Sequence, residues 1–138
     1  MQSSIGLIVT IVAVALVGLF LALSLTHPRA DSQVVFWLYK DKILPETVTT
    51  NAGLIRFVIH NSGPGEHGFA IEGPDGKRIE LPPEAERIPK DAVFVVFVRL
   101  TPGKYTVYCP IKGHTGLGDL LTWTRGVKEK EVATLIVR

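Results

Sequence analysis

Two patterns of apolar residues divide the chain. From Ile5 to Leu25 the residues are apolar or small and none is charged, while all 15 Lys/Arg and all 13 Asp/Glu fall at or after Arg29. At 1.5 Å rise per residue such a run makes a helix of about 31 Å, the thickness of a bilayer's hydrocarbon core. The apolar region of a cleaved signal peptide is shorter, about 7–15 residues, and no A-x-A-like site follows this one. The pattern predicts an uncleaved transmembrane anchor over residues 1–28 and one domain over residues 29–138.

After Arg29 the apolar residues come in short runs. Val34–Tyr39 is apolar and aromatic and is ended by Lys40-Asp41-Lys42 and Pro45. Leu54–His60 alternates, with Ile55, Phe57 and Ile59 on one face and Leu54, Arg56, Val58 and His60 on the other. Asn61-Ser62-Gly63-Pro64-Gly65 then breaks the chain. Phe69–Glu72, Ala92–Leu100, Lys104–Cys109, Leu120–Thr124 and Val132–Val137 read as further strands, and 80–91 reads as a polar loop. Short strands separated by turn signals predict a small β-sandwich or barrel. No helical period follows the first segment. His60 shares the polar face of its strand and is expected at the surface. Trp37, Tyr39 and Trp123 are expected to pack in the core or at its rim.

The net charge of +2 is mild, and no basic stripe interleaves with aromatics, so nucleic acid is set aside as a partner. No Ser/His/Asp set with an elbow motif and no Gly-rich phosphate loop is present, which argues against hydrolytic chemistry, and the expectation is that the chain is not an enzyme. The candidate chemistry lies elsewhere. Cys109 is the single cysteine. His114 follows it in Tyr108-Cys109-Pro110-Ile111-Lys112-Gly113-His114, and His67 stands upstream in Gly65-Glu66-His67-Gly68-Phe69. One thiolate and two imidazoles are the strong donors of a mononuclear electron-transfer copper site. A structural zinc site takes four ligands, usually with paired cysteines. The one methionine is Met1, so no methionine in the domain can be a weak axial ligand.

These residues sit in a wider framework. Leu44-Pro45-Glu46-Thr47-Val48, Asn51-Ala52-Gly53, Arg56–Gly63 and His67-Gly68-Phe69 resemble the first half of a cupredoxin. Leu100–Ile111, Gly113-His114 and Gly118 resemble the second half. The likeness is to the plastocyanin, azurin and rusticyanin group. It implies an all-β, Greek-key cupredoxin sandwich, here preceded by one transmembrane helix. It also implies a type 1 copper ion with His67, Cys109 and His114 as equatorial ligands. The short loop from Cys109 to His114 would limit ligand motion between Cu(I) and Cu(II), as fast electron transfer requires. Where the family's axial methionine often stands, this chain has Asp119. A carboxylate there would stabilise Cu(II) and lower the potential. Leu117 or a backbone carbonyl capping the site, or a weak site, are the other readings.

The resemblance implies a carrier of single electrons with a redox partner such as a cytochrome or membrane oxidoreductase complex. His114 would be the electron port, ringed by Pro110, Ile111, Thr115, Gly116 and Leu117. The competing expectation is a non-redox structural or assembly subunit, like an oxidase subunit II with an empty site. A binuclear copper site needs a second cysteine where Gly113 stands. A copper-delivery protein lacks its usual Met/His-rich tract. Arg29, Lys40 and Lys42 follow the apolar run and no Lys or Arg precedes it, which points the domain to the cytoplasm. The copper reading points it outward, and the expectation is a single-pass membrane protein with its domain on the periplasmic side.

Overall fold

The computed structural model describes residues 2–25, 29–111 and 131–138, with helix side chains described from 6 to 19. The helix, α1, runs over Gln2–Leu25. The expected transmembrane anchor and single-pass periplasmic localisation do not hold. Among the described residues no helix is long and apolar enough to cross a membrane.

The rest is β. In chain order the strands are β1 (Ser32–Tyr39), β2 (Lys42–Leu44), β3 (Thr47–Thr50), β4 (Gly53–Asn61), β5 (Ala70–Glu72), β6 (Val93–Leu100), β7 (Gly103–Tyr108) and β8 (Val132–Val137). They form two four-stranded sheets, ordered β2-β1-β4-β6 and β3-β8-β7-β5. Each sheet holds one parallel pair, β1 with β4 and β3 with β8. The all-β expectation therefore holds as a two-sheet sandwich. β2 and β3 were hidden in the sequence because Lys42 and Pro45 read as a strand end. Leu120–Thr124 lies outside the described residues.

Alternation decides what is buried. Ile55, Phe57 and Ile59 of β4 are fully buried, as are Phe36 and Leu38 of the neighbouring β1 and Val107 and Leu135 of the other sheet. Phe69 packs its ring 5.8 Å from Phe36 and 6.0 Å from Phe57, centroid to centroid. Removing each such ring from water stabilises the fold by about 1.5–3 kcal/mol. His60 lies on the outward face, as expected, and stacks on Trp37 at 5.7 Å. Trp37 is itself exposed on that face rather than in the core.

On the second sheet the inward rows have a particular continuation. Tyr105, Val107 and Cys109 are buried in alternation along β7 and just past it. Glu131, Ala133, Leu135 and Val137 do the same along β8, beginning one residue before the strand. His67 and Phe69 precede Ile71 of β5 at the same spacing, and all three are buried. The core rows of three neighbouring strands thus run out at one pole of the sandwich into a histidine, a cysteine and a glutamate.

Candidate metal centre

His67 is fixed by the 80–91 loop, which is more than a polar excursion. Its N–H donates to the Ile88 carbonyl at 3.2 Å and its carbonyl accepts from Ile88 N–H at 2.7 Å. Asn61 holds the approach. Its side-chain amide donates to the carbonyls of Gly65 (2.9 Å) and Ile88 (2.8 Å), and its oxygen accepts from Gly63 N–H (3.1 Å). Gly63 lies close against the imidazole: a Cβ at this position would lie 2.5 Å from His67 Nε2. The ring's Nε2 edge therefore faces backbone. Its Nδ1 edge faces Glu131, whose Oε1 is 3.2 Å away. Glu66, next in sequence, points outward and pairs with Arg87 at 2.8 Å.

Cys109 follows β7 directly and is fully buried. Its Sγ accepts from Gly68 N–H at 3.2 Å, and its own N–H donates to the Glu131 carbonyl at 3.3 Å. That second bond extends the β7–β8 ladder by one step and sets Glu131 beside the sulfur. Glu131 turns into the site with φ at +56°, the left-handed region that costs an L-residue roughly 1–2 kcal/mol. The donor atoms of His67, Cys109 and Glu131 lie within 4.8 Å of one another, and all three residues are buried. His114 and Asp119 lie outside the described residues, as do Thr115, Gly116 and Leu117.

Burial pushes the Cys109 thiol from 9.0 up to about 11, with the Glu131 carboxylate adding to the rise. The Gly68 and Ile111 N–H groups act the other way and favour the thiolate, but do not prevail without a cation. Because the folded value is the higher one, the stability contributed is full below pH 9.0 and is lost as pH rises toward about 11. In the metal-free protein, alkylation of Cys109 at pH 8 is expected to be slower than that of a free cysteine by about 100-fold or more. The raised pKa supplies the first factor of about 100 through the thiolate population, and burial supplies the rest. A rate matching a small thiol would show that the sulfur is neither more protonated than a free thiol nor shielded.

The donor set fits one cation. An ion about 2.0–2.3 Å from each of an imidazole nitrogen, a thiolate and a carboxylate oxygen needs donors no further apart than about 4.6 Å. The observed spread closes on that with a shift of a few tenths of an ångström. A cation also removes the reason for the raised thiol, since it compensates both buried anionic groups.

The sequence matches no protein-family model, and no curated protein matches it. Its fold does match solved structures. Auracyanin B superposes with a TM-score of 0.55 at 13% identity, over 82% of this chain and 93% of that one. The dithionite-reduced auracyanin of the photosynthetic bacterium Roseiflexus castenholzii gives 0.51 at 11% identity, over 80% and 99%. A multicopper oxidase gives 0.54 at 11% identity, over 77% of this chain but only 41% of its own. The two-sheet sandwich is therefore a cupredoxin-like fold.

Proposed function

We propose that the chain is a mononuclear copper protein that carries single electrons. The observation that carries this reading is the buried group of His67, Cys109 and Glu131 at one pole of a cupredoxin-like sandwich. His67 and Cys109 would hold the ion from the framework, and His114 would complete the strong donors from the segment after β7. Copper supplies a one-electron couple when bound. The chain's own residues supply rigidity around it. The His67 backbone is clamped to Ile88 on both sides, Gly63 covers the ring, and two backbone N–H groups address the Cys109 sulfur. Fixed donors change little between oxidation states, which keeps reorganisation small. The donor types suit copper, because a thiolate with imidazoles binds Cu(II) ahead of the other divalent first-row metals.

The partner would be another redox protein meeting the pole near Pro110 and Ile111, both half-buried at the end of β7. A small docking area there suits brief encounters with fast release. Asp119 remains the oxygen donor expected from the sequence, and Glu131 competes for that role.

Titration of the chain with Cu(II) tests the reading. One equivalent is expected to raise an intense visible thiolate-to-copper band, and His114→Ala is expected to weaken copper binding by at least about tenfold and broaden the band. A chain that takes up no copper, or takes it up with no such band, is a cupredoxin-like sandwich in a structural role.

A further inference from the structure

The geometry points to Glu131 as a direct protein ligand of the metal, supplying an anionic oxygen that favours Cu(II) over Cu(I). The inference rests on the copper reading above and adds to it a donor that the spacing Cys109…His114…Asp119 does not contain. Three observations carry it.

The first is burial. Glu131 is 1% exposed, and its carboxylate is enclosed with the His67 imidazole and the Cys109 sulfur, donors that lie within 4.8 Å of one another. The second is aim. Glu131 continues the inward row of β8, and its left-handed backbone is held by the bond from Cys109 N–H, so the side chain is delivered to the sulfur by the ladder itself. The third separates a ligand from an orienting group. A carboxylate that only orients a metal-bound histidine holds the ring nitrogen remote from the ion. Here the carboxylate lies at Nδ1, while Nε2 lies against Gly63, where a Cβ would come within 2.5 Å of it. Gly63 crowds the Nε2 edge, so the ion is assigned to Nδ1, where Oε1 of Glu131 sits at 3.2 Å. Glu131 and the ion share one side of the ring.

Charge then sets the consequence. With one thiolate, one carboxylate and neutral imidazoles, the Cu(II) site has no net charge and the Cu(I) site has one negative charge. A neutral axial donor reverses this, leaving Cu(I) neutral. In a buried site the neutral state is favoured, so Glu131 holds the reduction potential down.

The test compares the full chain with Glu131→Gln, which keeps shape and removes charge, and with Asp119→Asn. After loading each with Cu(II), the visible spectrum and the reduction potential are recorded. Glu131→Gln is expected to shift the band and to change the Cu(II)/Cu(I) binding ratio at least tenfold toward Cu(I), a rise of about 59 mV for one electron. Asp119→Asn is expected to change neither. A copper band in the unaltered chain with an unmoved potential in Glu131→Gln overturns the ligand assignment and leaves the carrier standing. Movement in Asp119→Asn alone gives the oxygen to Asp119 and also overturns it. No band in the unaltered chain overturns the carrier, and this inference with it. Should Glu131→Gln fail to fold, the unaltered chain is labelled with 13C at its glutamate carboxyl carbons and loaded with Zn(II). One glutamate resonance is expected to move, and none moving overturns the assignment.

Discussion

Cys109→Ser is expected to abolish the visible copper band and to weaken Cu(II) binding by on the order of 10²–10³-fold, while the sandwich stays folded. The band belongs to sulfur, and a serine hydroxyl at this position would be neither a soft donor nor deprotonated at neutral pH. The fold should survive because serine is close to cysteine in volume and can accept the Gly68 N–H bond that now reaches Sγ at 3.2 Å. The backbone bond from residue 109 to the Glu131 carbonyl does not involve the side chain. Copper titration followed by absorbance, with circular dichroism as the check on folding, reads both halves of the expectation. Unchanged affinity would mean that the metal sits elsewhere. Metal-free Cys109→Ser should also lose the fall in stability between pH 9 and 11 that the raised thiol imposes on the parent.

Gly68→Ala is expected to act on folding and on the metal together. A Cβ at Gly68 would lie 2.6 Å from Pro110 Cδ and 2.7 Å from the Glu86 carbonyl oxygen. Neither neighbour is the free end of a flexible side chain. One belongs to a proline ring and the other to backbone in the 3-10 turn Pro83–Glu86. Overpacking of this kind costs about 1–3 kcal/mol. For a domain of this size each kcal/mol lowers Tm by on the order of 4–8 °C. Relief of the clash must move Gly68 away from Pro110, which lengthens the N–H···Sγ contact and unseats the sulfur. Calorimetry of the metal-free form gives the first effect. The position of the copper band gives the second. A stable variant with an unshifted band would show that the loops at this pole are soft, contrary to the clamps described.

Part of this site is readable from residue types and part only from where strands end. His67 and Cys109 announce themselves because each lies in a short motif of turn residues, and the alternation of β4 names its buried face without a structure. Glu131 does not. It ends the run Lys128-Glu129-Lys130-Glu131, which has the look of a solvated stretch. The one usable signal is parity: Ala133, Leu135 and Val137 face inward, and a step of two back along the chain reaches residue 131. Acting on it means trusting a strand's periodicity one residue beyond its end, where a turn normally cancels it. The bond from Cys109 N–H is what preserves the register there, and that bond is tertiary information. The loop at 80–91 was opaque for a related reason. Its composition is that of a turn-rich connection, yet Ile88 serves as a backbone partner for His67. The first helix shows the opposite error: an uncharged run reads as a membrane span, yet among the described residues no helix is long and apolar enough to cross a membrane.

One topological detail bears on timing. β8 lies inside its sheet, between β3 and β7, although it follows both in the chain. In synthesis, His67 and Cys109 are both joined to the chain before β8 is. Until then the sheet lacks an interior strand, and the carboxylate beside the sulfur does not yet exist. The nascent protein therefore carries an imidazole and a thiol but no assembled metal site. On the copper reading proposed above, an ion that arrived before β8 docks would find loose donors instead of a cage.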